Sequence, residues 1–287
     1  MGDNTTISWC HKTFNLWHGC VKVGTACKNC YAETMSNRWR RDIWGVDKPR
    51  HFNAPAYYNS LEKWQRQAEK GGIAYRVFVM SMGDLFEIHR DLDINAQMVE
   101  KRDWFWEMVE QTPNLVYMIL TKRPENIYEL APEKWNIPYQ FERMDSDEYI
   151  APYVTFPSNV WIGTSIGDPS KLHRCLVLCY LTHAVERIEA TDILDERLKT
   201  ASILDESWLY ITGGESGHGA RPSEIDWFCE IKRAAKITGA YFFMKQTGSH
   251  LAKRMGMNHS KGEDMSEWPF YLQHQEMPSV SLPWGDK

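Results

Sequence analysis

The chain has 287 residues, a formal net charge of −5 and a sequence pI of about 6.1, so it carries no broad basic field and would need a local patch to meet nucleic acid. Its 43% hydrophobic and 25% charged residues are those of a globular chain long enough to bury a sizeable core. No run of 18 apolar residues occurs, which excludes a helical membrane span. Residues 1–9 show neither a basic n-region nor an apolar h-region, so a cytoplasmic chain without a signal peptide is expected. Seven cysteines is an odd number, and in that setting they read as reduced thiols or metal ligands rather than a disulfide framework.

In chain order, the first regular element expected is a helix over 61–70, with Ser60 as N-cap and Gly71 and Gly72 as its stop. Residues 76–80 form a short apolar run of the kind buried parallel strands show. A helix over 94–111 follows, with Met98, Phe105, Met108 and Val109 at helical spacing. A second strand is expected over 115–120, and Pro124 suits the first turn of the helix after it. Residues 132–159 hold a polar run between Pro132 and Pro157 and read as an insertion loop. A third strand is expected over 160–165, with Asp168 and Pro169 opening the next helix. Further strands are expected over 184–188, 208–212 and 241–245. Between the last two, Ser223 and Asp226 resemble a capping box before a helix over 227–238 that Gly239 ends. Residues 247–287 lack a clear period and read as an irregular tail. Strand–helix alternation of this kind predicts an α/β fold with a parallel sheet, open or closed into a partial barrel, in a single domain over 1–287. The basic stretch Arg38, Arg40, Arg41, Lys48 and Arg50 reads as a solvated helix face and loop.

The segment richest in chemistry contains Cys20, Cys27 and Cys30, three thiols within eleven residues closed by a C-x-x-C. A loop carrying Gly24 can bring three thiolates to one centre, and thiolates select zinc, copper(I) or iron–sulfur clusters. Structural zinc needs a fourth ligand, which Cys10, His11 or His18 could supply. A [4Fe–4S] cluster on three cysteines instead leaves one iron open to a small molecule. Cys175 and Cys179, one turn apart among leucines, and Cys229, in an amphipathic stretch, read as core residues.

Beyond spacing there is a resemblance. The stretch from Ile7-Ser8-Trp9 through Phe14-Asn15-Leu16-Trp17-His18-Gly19-Cys20 to Cys27-Lys28-Asn29-Cys30-Tyr31-Ala32-Glu33 resembles the opening of a phage-associated three-Cys-motif family, regarded as a divergent branch of the radical S-adenosylmethionine superfamily. It continues at Met80-Ser81-Met82-Gly83-Asp84-Leu85-Phe86, Leu120-Thr121-Lys122-Arg123-Pro124, Val160-Trp161-Ile162-Gly163-Thr164-Ser165, Gly213-Gly214-Glu215-Ser216-Gly217, Ala220-Arg221-Pro222 and Phe242-Phe243-Met244-Lys245-Gln246. In motif style the blocks are similar to those of spore photoproduct lyases. Two features depart from the pattern. Six residues separate Cys20 from Cys27 where the superfamily commonly has three, and residues 187–194 replace a Ser-x-Glu-Pro-Leu-Leu block.

The resemblance implies a partial (β/α)6-type barrel of the radical S-adenosylmethionine kind. It implies a [4Fe–4S] cluster on Cys20, Cys27 and Cys30, with S-adenosylmethionine on the open iron. Ser81 and Asp84 would bind the methionine ammonium, Lys122 its carboxylate, and Thr164, Ser165, Gly213, Gly214 and Glu215 the ribose and its surroundings. Tyr31 would be placed to donate a hydrogen, and Lys245 to face substrate. Implied partners are an electron donor, a three-Cys-motif partner protein and a nucleotide or nucleic-acid substrate. Two readings without radical catalysis stand beside this: a zinc-stapled binding protein, and an iron–sulfur protein that only binds or transfers electrons.

Overall fold

The computed structural model describes residues 5–24, 27–138, 152–165, 209–217 and 219–279. The strand expected over 184–188, the helix opening at Asp168 and Pro169, Cys175, Cys179, the middle of the 132–159 insertion and the last residues of the tail lie outside them. The chain divides into two compact units, Met1–Glu186 with Val280–Lys287, and Arg187–Ser279.

The elements of the first unit run β1 (Lys12–Phe14), β2 (Trp17–His18), α1 (Tyr31–Arg38), β3 (His51–Phe52), α2 (Pro55–Tyr58), α3 (Ser60–Gly71), β4 (Tyr75–Val79), α4 (Leu92–Gln111), β5 (Leu115–Thr121), α5 (Ile127–Leu130), β6 (Asn136–Ile137), β7 (Tyr153–Val154) and β8 (Val160–Thr164). Four strands form a wholly parallel sheet in the order β1-β4-β5-β8. β5 is its most buried strand, and its run Leu-Val-Tyr-Met-Ile-Leu-Thr is apolar on both faces, as a central parallel strand must be. The order advances in one direction without doubling back, and the fold is α/β.

The helices follow from local chemistry. α4 begins where the Asp91 carboxylate accepts from the backbone N–H groups of Asp93 and Ile94, both at 3.0 Å, satisfying donors the helix leaves open. α3 begins one residue past Asn59 and ends at Gly72, whose φ of 59° closes its last turn in a conformation that favours glycine. The face of α3 carrying Leu61, Trp64, Gln65 and Ala68 is buried. Gln65 donates to Asn114 Oδ1 (2.9 Å) and accepts from Asn114 N (3.0 Å), fixing α3 to the start of β5. Phe14 stacks on Tyr57 with ring centroids 5.1 Å apart, and Phe105 meets Tyr117 edge-on at 5.2 Å. Trp17, Trp64, Phe86 and Phe105 are among the largest fully buried side chains, and burial of a side chain of phenylalanine size is worth about 1.5–3 kcal/mol.

Around the outer part of the expected insertion loop, β6 pairs antiparallel with β7, and Trp135 packs against Trp106 and Phe156. Those flanks are thus ordered structure rather than loop.

In the second unit, β9 (Leu209–Gly213) and β10 (Tyr241–Gln246) pair in parallel, joined by α6 (Ile225–Thr238). Gly239, with φ 74°, ends α6 as expected. The capping box does not form: no side chain caps α6, and Ser223 Oγ instead donates to the carbonyl of Thr247 at 2.8 Å. The tail is less irregular than its sequence suggests. α7 (Ser249–Met255) opens it. Residues 274–276 add to the edge of β10, with Met244 N donating to His274 O (2.9 Å) and Glu276 N to Phe242 O (3.0 Å). Leu251, Trp268 and Leu272 complete a core with Phe228, Phe242 and Met244.

Candidate metal centre

The cysteine segment starts at Gly19, whose φ is 110°. A side chain there would come within 2.4 Å of the Ile43 carbonyl, so only glycine fits. Cys20 forms an isolated parallel bridge with Trp44, and its carbonyl accepts from Gly45 N at 3.0 Å. Lys22 and Glu33 pair across the segment at 2.7 Å. Cys27 N donates to Gly24 O, and Cys30 is the residue that opens α1; Thr25 and Ala26 lie outside the described residues.

What holds this segment is the turn after β4, residues 80–87. Gly19 N donates to Met82 O at 3.0 Å, and the Tyr31 hydroxyl to Ser81 O at 2.8 Å. Asn15, just past β1, joins the same turn: its Oδ1 accepts from Met82 N (2.8 Å) and its Nδ2 donates to Ser81 Oγ (3.2 Å). Met80 sits at φ 59°, an unusual conformation for a residue with a side chain.

Asp84 is the centre of the turn. Its Oδ1 accepts from Thr121 Oγ1 (2.7 Å) and Phe86 N (3.1 Å); its Oδ2 accepts from Lys122 N (3.0 Å) and Arg123 Nη1 (2.9 Å). Four protein donors occupy a carboxylate with about four acceptor positions. Asp84 thus clamps the ends of β4 and β5 together, which leaves it no vacant lone pair for the methionine ammonium that the resemblance implied. Lys122, expected as its charged counterpart, reaches Asp84 by its backbone N–H; the guanidinium in contact is that of Arg123.

Arg123 also turns toward the cysteines. Its Nη1 lies 3.6 Å from Cys20 Sγ and its Nη2 donates to Val21 O at 2.8 Å. Glu87, one turn on, receives Arg50 Nη2 at 2.6 Å, and both side chains are essentially excluded from solvent, at 0% and 1%. The Arg50 guanidinium further donates to Lys48 O (2.7 Å), knotting the loop that carries Trp44. Arg102, buried as well, donates to the carbonyls of Leu85 (2.9 Å) and Glu87 (3.0 Å). Arg50 therefore does not belong to a solvated basic face, because the carboxylate of Glu87 and a shell of carbonyls draw it inward.

The electrostatics follow from burial. Burial lowers Arg102 to about 10. It would lower Arg123 too, but the Asp84 carboxylate, Cys20 and Glu87 outweigh it and hold that guanidinium above its ordinary value. Burial pushes the Cys20 thiol up to about 12; Glu87 adds to this and Arg123 opposes it. Without a metal Cys20 is thus a thiol at neutral pH, and a coordinating metal must displace its proton. Burial, with His51 and Arg41, lowers His18 to about 4, so this imidazole is neutral.

The residues present suit a thiolate-bound centre in their chemistry. Arg123 brings a guanidinium to Cys20 Sγ, so a thiolate there would face a positive charge. Trp17 Nε1, buried and without a hydrogen-bond partner among the described residues, lies beside Gly83 and offers a further donor. Among the described residues no three His, Cys, Asp or Glu side chains are grouped to hold a metal ion. The Cys20 thiol lies 3.6 Å from Arg123 Nη1 and donates to Val21 O at 3.4 Å.

Thr164 Oγ1 donates to Thr121 O at 2.8 Å and Ser165 N approaches the same carbonyl at 3.4 Å, which sets both beside the end of β5. The first unit thus gathers Cys20, Tyr31, Ser81 and Asp84, with Lys122, Thr164 and Ser165, around the carboxyl ends of its strands. The second unit gathers Gly213, Gly214, Glu215 and Lys245 at the ends of β9 and β10. A side chain on Gly214 would come within 2.3 Å of Thr247 O and 2.7 Å of Ser223 Oγ. The glycine pair is therefore required by close backbone packing. Glu215 Oε2 accepts from Arg221 N (3.0 Å) and Oε1 from Arg221 Nε (2.8 Å), so its carboxylate is engaged by that arginine.

Sequence reasoning passed over Asn15, Glu87, Arg50 and Arg123 as site residues. A signal existed for one of them: Arg123 stands in the Leu120–Pro124 block, but beside Lys122 nothing local says which cation turns inward.

The chain matches the model of the family described as "Protein of unknown function (DUF5131)" over residues 4–276. No curated protein and no solved structure matches it. The match spans nearly the whole chain, and the protein belongs to the DUF5131 family.

Proposed function

We propose that this protein is a radical S-adenosylmethionine enzyme whose [4Fe–4S] cluster is held by Cys20, Cys27 and Cys30. The observation that carries this reading is the fastening of the cysteine segment over the carboxyl ends of a parallel sheet: Gly19 to Met82, Tyr31 to Ser81, and Cys20 and Val21 to Arg123. Ligands of parallel α/β folds gather at those ends. The one-way strand order β1-β4-β5-β8 further supports a barrel-type sheet, since a doubly wound sheet reverses its order.

Bound there, the cluster and S-adenosylmethionine would supply one-electron cleavage to a 5′-deoxyadenosyl radical that abstracts a hydrogen. The chain's part is to ligate, orient and shield. Cys20, Cys27 and Cys30 are the ligands. Asp84 fixes the two strand ends against each other, and Ser81, through its carbonyl, fixes Tyr31. Lys122 follows β5 directly and is assigned to a carboxylate, with Thr164 and Ser165 beside it. Glu215 is assigned to ribose and Lys245 to substrate. The substrate proposed is a nucleotide or nucleic-acid base; an electron donor and a three-Cys-motif protein are the proposed partners. No helix among the described residues is long and apolar enough to cross a membrane.

Anaerobic purification and reconstitution test the reading. Iron and sulfide near four per chain, binding of S-adenosylmethionine by calorimetry and release of 5′-deoxyadenosine on reduction are expected. Cys27→Ala should lose the iron and Cys229→Ala keep it. A colourless protein with stoichiometric zinc would instead establish the stapled binding protein, and a cluster that never cleaves S-adenosylmethionine a simple iron–sulfur protein.

A further inference from the structure

We infer that Arg123 is a positioning residue: held by Asp84, its guanidinium fixes the Cys20 end of the cysteine segment and supplies the positive charge that the Cys20 thiolate faces once it is a ligand. This rests on the proposed assignment of Cys20 as a ligand and adds a residue that the sequence motif did not single out. Arg123 makes three contacts in three directions: Asp84 Oδ2 at 2.9 Å, Val21 O at 2.8 Å and Cys20 Sγ at 3.6 Å. Its side chain is 8% exposed and that of Asp84 6%. A planar guanidinium holds its donors in a rigid fork that reaches a carboxylate, a carbonyl and a sulfur in fixed directions, whereas an ammonium is a compact point charge on a flexible stem.

The placement has a sequence logic. Asp84 follows β4 and Arg123 follows β5, and these strands are paired in parallel, so their carboxyl ends are neighbours by construction. Thr121 Oγ1 both donates to Asp84 Oδ1 (2.7 Å) and accepts from Arg123 N (2.9 Å). The arginine backbone is thereby locked before its side chain reaches the loop. Asp84 and Thr121 together hold the Arg123 fork in place, and the fork holds Cys20. The contacts of the other two guanidiniums agree: Arg50 is turned to Glu87 and Arg102 to the carbonyls of Leu85 and Glu87, and Arg123 is the one of the three that reaches sulfur. Donation to a thiolate or cluster sulfide stabilises the more negative, reduced state.

The test uses Arg123→Met, which keeps bulk and removes charge and donors, and Arg123→Lys, which keeps charge alone. In the full chain without metal, alkylation by iodoacetamide is followed residue by residue by mass spectrometry. Arg123→Met should change the rate at Cys20 at least five-fold relative to Cys10 and Cys229 in the same molecule, because only the Cys20 end loses its tether. General unfolding would raise all three together, and a Cys20 rate unchanged relative to Cys10 would overturn the inference. In reconstituted protein, Arg123→Met should also lower the midpoint potential of the cluster, with Arg123→Lys in between; equal potentials in wild type and both variants would overturn the electrostatic part. A wild type that takes up no iron would remove the cluster reading while leaving the alkylation result to decide the positioning of Cys20.

Discussion

The two units place the same pair of residue types just beyond strand ends, with opposite consequences. In the first, Arg123–Asp84 and Arg50–Glu87 are buried, with side chains at most 8% exposed. In the second, Arg221–Glu215 is 39% and 27% exposed. Buried charges are expensive to leave alone, so each of the inner pairs is over-determined by backbone bonds from several elements. The exposed pair loses little hydration and is of the kind worth about 0–1 kcal/mol. The comparison teaches that the buried arginines are architecture around Cys20, while the exposed Arg221–Glu215 pair adds little to stability.

Removing one member of the inner pair should show the largest effect. Arg50→Met leaves Glu87 buried without its cation and should cost about 3–5 kcal/mol, read by urea denaturation. A cost below about 1 kcal/mol, the range of an exposed pair, would erase the distinction between the units.

Acid should come next. The folded His18 lies near 4 against the 6.5 of an unperturbed imidazole, so the unfolded chain binds the extra proton between those values. Stability is fully present above pH 6.5 and falls as pH drops toward 4, by roughly 3 kcal/mol in the limit. Metal-free His18→Gln should lose that part of the pH dependence; an identical curve for the variant would refute the assignment.

Gly214→Ala tests the packing reading of the glycine pair. Its new methyl meets Thr247 O at 2.3 Å, and overpacking of this kind costs about 1–3 kcal/mol. A Tm unchanged from wild type would return the glycines to a purely ligand-facing role.

The smallest stability effect is expected at the outer pair. Glu215→Gln should change unfolding free energy by about 0–1 kcal/mol. Under the proposed function its consequence should appear instead in affinity for S-adenosylmethionine; a variant that binds as wild type and is strongly destabilised would reverse the roles assigned to the two regions.

The parts of the fold legible beforehand were those with long, one-sided or uniformly apolar patterns. β4, β5, β8, β9 and β10 were read within one or two residues, as were α3, α4 and α6. Short elements were not. β1 is only Lys12–Phe14 and β2 only Trp17–His18, too few residues to show a period, and both exist because neighbouring strands supply their partners. α7 was lost in the tail because its buried residues are just Leu251 and Ala252.

The sequence by itself determined that three thiols occur in eleven residues, that polar residues follow successive apolar strands, and that the strands alternate with helices. Spacing along the chain carries that information, because ligand types and periodicity are local. Which polar group turns inward was decided by tertiary structure alone. Lys122 and Arg123 are equal as cations along the chain, yet Asp84, 37 residues away in sequence from Thr121, selects the guanidinium of one and the backbone N–H of the other. Arg50 looked like a surface charge until Glu87 was folded against it. A buried charge is admitted only where its counter-charge and hydrogen-bond partners already stand, and those partners come from strands and loops that only the folded chain brings together.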